Sequence, residues 1–84
     1  MARIRSLKRD TQPARPPRTE VDCLYTTVRT DRGDKLLRLA TLGSDHRKWE
    51  PKPSQIIEVD ETIAKQLIEV IFDVYPGIRG PETN

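Results

Sequence analysis

The chain has one cysteine, one histidine, one tryptophan, one phenylalanine and two tyrosines in 84 residues, and only four glycines. Each scarcity closes off a class of function. A single thiol, Cys23, forms no internal disulfide, and Cys23 with His46 falls short of the three or four nitrogen and sulfur ligands of a usual zinc site, so no structural metal is expected. Asp31, Asp34 and Asp45 lack the alternating oxygen spacing and distal glutamate of a calcium loop. The glycines are too few and too scattered for a phosphate-cradling loop, and neither a His-Glu-x-x-His helix nor a Gly-x-Ser-x-Gly elbow occurs. A Cys23–His46 nucleophilic pair has no third group to orient it. The chain therefore reads as non-enzymatic and without a cofactor. No apolar run approaches the roughly 20 residues that span a bilayer. The opening MARIRSLKRD is basic but has no apolar stretch of secretory type, which points to the cytoplasm and away from membranes.

Charge is abundant, and it is unevenly placed. A third of the residues are charged, for a net of +2. Residues 1–18 hold Arg3, Arg5, Lys8, Arg9, Arg15 and Arg18 against Asp10 alone, net +5, leaving residues 19–84 at −3. A basic arm on a mildly acidic body suggests a polyanionic partner for the arm. Residues 1–19 also contain three prolines and no helical or alternating pattern, so they are expected to form a flexible basic arm. Residues 20–78 are expected to form one small domain and residues 79–84 a frayed tail.

Within the domain, VDCLYTTVRT is rich in β-branched and aromatic residues and predicts a strand over about 21–30. DRGDK supplies a turn, with Gly33 as the site of a positive φ, and LLRLATL predicts a second strand over about 35–42, forming a hairpin. Pro51 and Pro53 make continued pairing difficult, after which SQIIEV predicts a strand over about 55–59. Asp60 is a good N-cap, and ETIAKQLIEVIFDVY has helical periodicity over about 61–75, stopped by Pro76-Gly77. A wheel at 100° per residue gathers Ile63, Ala64, Leu67, Ile68, Val70, Ile71, Val74 and Tyr75 on one side. The expected fold is α+β: a three-stranded, mainly antiparallel sheet with one C-terminal amphipathic helix on one face. Its expected core is Leu24, Val28, Leu37, Leu39, Ile57, Val59, Ile63, Leu67, Ile71 and Val74. Phe72 lies at the edge of the polar arc, where it packs on a loop or terminus or marks an oligomer contact, including a homodimer.

The segment GSDHRKWEPKPS concentrates His46, Arg47, Lys48, Trp49 and Lys52. Cations around a large ring are the pairing that single-stranded nucleic-acid sites use, with charge along the backbone and the ring stacked on a base. The other reading has Trp49 folded back to cap a small core, since a domain this size buries only about 60% of its unfolded surface. Both readings stand on the sequence. Arg29, Arg32, Lys35 and Arg38 of the hairpin extend the basic surface. The candidate phosphate contacts are Arg29, Arg38, Arg47, Lys48 and Lys52, with Arg3, Arg5, Lys8 and Arg9 of the arm adding salt-sensitive affinity.

Two resemblances follow from these motifs. LRLATLGSDHRKWEPKPSQIIEVDETIAKQL resembles a set of small uncharacterised bacterial proteins with the pattern T-x-G-S-x-x-R, S-Q-x-I, an acidic cap and A-x-x-L; the matching residues are Thr41, Gly43, Ser44, Arg47, Ser54, Gln55, Ile57, Asp60, Ala64 and Leu67. The order of basic arm, basic hairpin, Lys/Pro loop, short strand and C-terminal helix is similar to the single-stranded-DNA-binding domain of the transcriptional coactivator positive cofactor four. That resemblance implies strand binding on the sheet face away from the helix and a homodimer made by the helices. The aromatic residues of that family at the end of its second strand correspond here to Ala40, Thr41 and Leu42, leaving Trp49 as the ring. The expected function is a non-enzymatic nucleic-acid-binding module for single-stranded or distorted DNA. The alternative is a protein-interaction module, with Tyr25, Leu36 and Leu42 or Phe72 docking a protein partner.

Overall fold

The computed structural model describes residues 1–43 and 53–79. Its elements are β1 (Ala2–Arg3), β2 (Cys23–Arg29), β3 (Lys35–Leu42), β4 (Pro53–Val59), α1 (Glu61–Val74) and a 3₁₀ turn (Pro76–Arg79). The fold is α+β, and the sheet has four strands in the order β1-β4-β3-β2. β2, β3 and β4 are antiparallel, while β1 runs parallel to β4, with Ala2 beside Ile57 and Arg3 beside Glu58.

The three-stranded antiparallel expectation is therefore corrected to a four-stranded mixed sheet, and the arm is not free at its start. Its first residues take the outer edge of β4. The Ile4 N–H donates to the Glu58 carbonyl at 2.8 Å, and the Arg3 guanidinium reaches Asp60 at 3.3 Å. Both links are long-range, which is why a reading of the arm's own composition missed them. Ile4 and Leu7 are half-buried.

The β2–β3 hairpin closes through a three-residue loop. Gly33 donates to the Thr30 carbonyl at 2.9 Å and sits at φ +89°, a backbone region that glycine enters without a Cβ penalty. This loop sets Arg29 against Lys35, Val28 against Leu36 and Leu24 against Ala40. One face of the sheet thus carries Leu24, Thr26, Val28, Leu36, Arg38, Ala40, Ile56 and Glu58. The other carries Cys23, Tyr25, Thr27, Arg29, Lys35, Leu37, Leu39, Ile57 and Val59. Pro53 begins β4, the position in a strand that tolerates its missing N–H, and an irregularity at Thr41/Leu42 adjusts the pairing there. Cross-strand, the Thr41 and Ser54 hydroxyls lie 3.0 Å apart.

The buried apolar residues are Leu36, Ala40, Val59 and Ile63. The expected core is corrected on this point. Leu24, Leu37, Ile57 and Val74 are exposed, and Leu36 with Ala40 takes the place given to Leu37 and Leu39. The register puts Val59 on one face and Leu36 and Ala40 on the other, together with Leu24 and Val28, so each face holds buried residues. In the face of Leu36 and Ala40, Glu58 is buried and paired with Arg38, whose Nε and Nη2 approach Glu58 Oε2 at 2.7 and 2.6 Å.

α1 begins at Asp60, whose side chain accepts from the Ile63 N–H at 2.9 Å, and Glu61 adds negative charge to the first turn. It ends with the Tyr75 N–H donating to the Ile71 carbonyl at 2.8 Å. Ile63 is buried and Ala64, Leu67, Ile71 and Phe72 are half-buried, whereas Ile68, Val70, Val74 and Tyr75 are exposed. The helix contacts β4 and the 3₁₀ turn.

Candidate nucleic-acid interface

One face of β2 bears Cys23, Tyr25, Thr27 and Arg29. All four are exposed, Tyr25 by 79%. β-alternation places Arg29 on the same side as the Tyr25 ring, four residues and about 13 Å along the strand. Lys35 lies opposite Arg29 across the hairpin, on the same face and also exposed. The turn holds this end in shape: Arg29 Nη1 donates to the Gly33 carbonyl at 3.0 Å, and the Asp34 N–H donates to Thr30 Oγ1 at 3.1 Å. Arg32 projects from the exposed loop itself. Leu37 and Ile57 continue the face as apolar, partly open positions.

The other cations singled out in the sequence are distributed differently. Arg38 is on the opposite face and engaged with Glu58. Arg3 is engaged with Asp60 at the sheet edge. Arg5, Lys8 and Arg9 are exposed along the segment that follows β1. Arg47, Lys48, Trp49 and Lys52 lie outside the described residues. Phe72 is half-buried in a shallow hollow shared with Glu69, Asp73 and Pro76.

A second hollow, lined in part by Arg3, Lys35, Asp34, Asp60 and Glu61, mixes both signs of charge at the start of the helix. Asp60 is held below the ordinary aspartate pKa, first by the Ile63 backbone N–H and then by Arg3, against the opposing effect of partial desolvation. These bonds account for Asp60 as a structural cap. Among the described residues there is no group of three or more His, Cys, Asp or Glu side chains placed to hold a metal, and no helix is long and apolar enough to cross a membrane. Cys23 is a free, exposed thiol.

Comparison with protein-family models, with curated proteins and with solved structures finds no match to this chain.

Tyr25, expected from the sequence as part of a surface for a protein partner, has an exposed ring on the same face as Arg29. The signal for it was available. Strand alternation alone puts the ring on the side of Arg29; what the alternation does not tell is that the ring is exposed.

Proposed function

We propose that this chain is a non-enzymatic binding module for single-stranded nucleic acid, with Tyr25 as a stacking ring and Arg29, Arg32 and Lys35 as phosphate contacts. The reading rests on one observation: an aromatic ring left open in the middle of a strand, on the same face as two exposed cations. A base stacks on such a ring whatever its identity, and the cations follow the backbone. The exposed Arg5, Lys8 and Arg9 add non-specific attraction, as Arg47, Lys48 and Lys52 would from the residues before β4, with Trp49 as a further ring. The similarity in element order to the positive cofactor four domain supports the same class of ligand.

The test is anisotropy of a labelled mixed-sequence single-stranded oligonucleotide, in a salt series. Tyr25→Ala should weaken binding by about 1–3 kcal/mol, the usual worth of one stacked base. Neutralising Arg5, Lys8 and Arg9 together should flatten the slope of log K against log salt by about 2, at roughly 0.7 per lost phosphate contact. Absence of binding at low salt, or a Tyr25→Ala variant that binds like the parent, removes the proposal.

A second reading has the same face docking a protein partner, and the partly open Leu37 and Ile57 favour it. Complexes of that kind survive nuclease and high salt, whereas those of the first do not.

A further inference from the structure

We propose that β2 is a self-pairing edge: two copies of this chain join β2 to β2 in antiparallel fashion about a two-fold axis through Thr26, making one eight-stranded sheet. The inference is independent of nucleic-acid binding.

The two edges of the sheet are treated unequally. One is the two-residue β1, and short edge strands offer little to pair with. The other is β2, seven residues long, with neither proline nor lysine and with no irregularity in its pairing to β3. These are among the devices by which edges are ordinarily protected from other strands, and of them β2 keeps only a charged side chain at its last residue, Arg29. Its residues from Cys23 to Thr27 are exposed on both faces.

The hydrogen bonding of the hairpin says which backbone groups are available. The Thr30 N–H donates to Asp34 and the Leu42 N–H to Asp22, each at 2.9 Å. Hydrogen-bonded pairs alternate in an antiparallel ladder, so even-numbered residues of β2 turn their amides toward β3. The odd-numbered residues Cys23, Tyr25, Thr27 and Arg29 turn theirs outward. A second β2 can meet this edge only in registers that set odd residues against odd.

Among those, the register centred on Thr26 uses the whole strand. Cys23 meets the mate's Arg29 and Tyr25 meets its Thr27 as hydrogen-bonded pairs, giving about eight backbone bonds. Leu24 meets the mate's Val28 and Thr26 meets Thr26 as the closer, non-hydrogen-bonded pairs. This puts an exposed leucine against a half-buried valine on the face that already holds Leu36 and Ala40, so apolar side chains meet across the joint. Aromatic with β-branched and Thr with Thr are favourable cross-strand neighbours. The two Arg29 side chains end up about 20 Å apart, beyond the roughly 10 Å screening length in ordinary salt. Registers centred on Tyr25 or Thr27 instead extend the pairing past the strand, to Val21 or into the turn at Asp31, and lose the Leu24–Val28 match. A strand that fits its own reverse in this way identifies the second copy as its occupant, because isologous contacts require that self-complementarity.

The experiment is sedimentation of the full chain over a concentration series, with two variants. Thr27→Pro removes an outward N–H that the hairpin does not use, and proline is tolerated at such an edge position. The wild type should sediment as a dimer, and Thr27→Pro should dissociate about tenfold to a hundredfold more readily at unchanged far-ultraviolet dichroism, for the two central bonds lost. In the second variant, Cys23→Ser with Thr26→Cys, mild oxidation should give a covalent dimer, while Cys23→Ser with Leu24→Cys should not. This pair decides the matter if the proline variant fails to fold. A wild type that is monomeric throughout, as an edge reserved for a peptide of another protein would leave it, overturns the proposal. So does a folded Thr27→Pro that dimerises as well as the parent, or equal cross-linking from positions 24 and 26.

Discussion

Replacing Arg38 by methionine should be the most damaging single change on the sheet, because of what it does to Glu58. The carboxylate has a side-chain exposure of 10% and receives both Arg38 contacts on one oxygen, at 2.6 and 2.7 Å. It sits beside Leu36 and Ala40, which offer no hydrogen bond. Removing one partner of a buried pair costs about 3–5 kcal/mol, mostly through the charge left behind. Arg38 itself is 29% exposed, so the pair is not fully dry and the lower end applies, about 3 kcal/mol. A chain of this length has a total stability on the order of 4–12 kcal/mol, so that loss is a quarter or more of it. The midpoint of thermal unfolding should fall by about 12–24 °C. Glu58→Gln should be milder, because the cation it strands still reaches water. The double change Arg38→Met with Glu58→Leu should come back to within about 1 kcal/mol of the parent, since a packed apolar pair replaces an ion pair at little cost. Urea unfolding followed by circular dichroism, at one fixed protein concentration, measures all four proteins. If Arg38→Met costs less than about 0.5 kcal/mol, or the double variant is no more stable than Arg38→Met alone, the reasoning fails.

Three further outcomes follow from other parts of the molecule. Asp60 has its pKa lowered in the folded state, so its contribution to stability is present above the unfolded value and fades as pH drops below about 4. Asp60→Asn, which keeps a capping oxygen without the charge, should flatten that acid limb, and Asp60→Ala should lower stability at neutral pH as well; equal acid limbs in Asn and parent contradict the assignment. Gly33→Ala should destabilise by about 1–2 kcal/mol in thermal unfolding, because φ +89° is strained for any residue with a Cβ and the surrounding space is open, so no packing gain offsets it. Deleting residues 1–4 should lower the melting temperature at pH 7 and abolish part of the acid limb through loss of the Arg3–Asp60 contact; an unchanged melt would mean that β1 adds nothing to the sheet.

Much of the fold was legible because it is local. The β2–β3 hairpin follows from β-branched runs on either side of Gly33, and α1 follows from Asp60, its periodicity and Pro76, to within a residue or two of the observed ends. What was missed depends on contacts far apart in the chain. β1 exists because Ile57 and Glu58 present an edge, and nothing in the arm's own residues announces it. The core was half right for a related reason. The sequence shows that both faces of β3 carry leucines, but not that Leu36 is buried and Leu37 exposed. At the candidate interface, Arg29 was named on charge and is exposed, whereas Arg38, chosen by the same criterion, is engaged with Glu58. Charge counted along a strand does not show which cations have carboxylates opposite them. Trp49, the ring favoured from the sequence, lies outside the described residues, and Tyr25 is the ring that the described face offers.

The link between Arg3 and Asp60 joins positions 57 apart in the chain. During synthesis the hairpin and β4 can pair as soon as they emerge, but β1 has nowhere to lie until β4 has been made. Closing so long a loop costs entropy that local contacts do not incur. β1 is thus among the last parts of the sheet to settle, and it acts as a clasp put on a sheet already formed. Anything fused ahead of it hangs on that clasp, whereas a tag behind the helix leaves it alone. Expression from the two ends should therefore give proteins of different stability from one and the same domain.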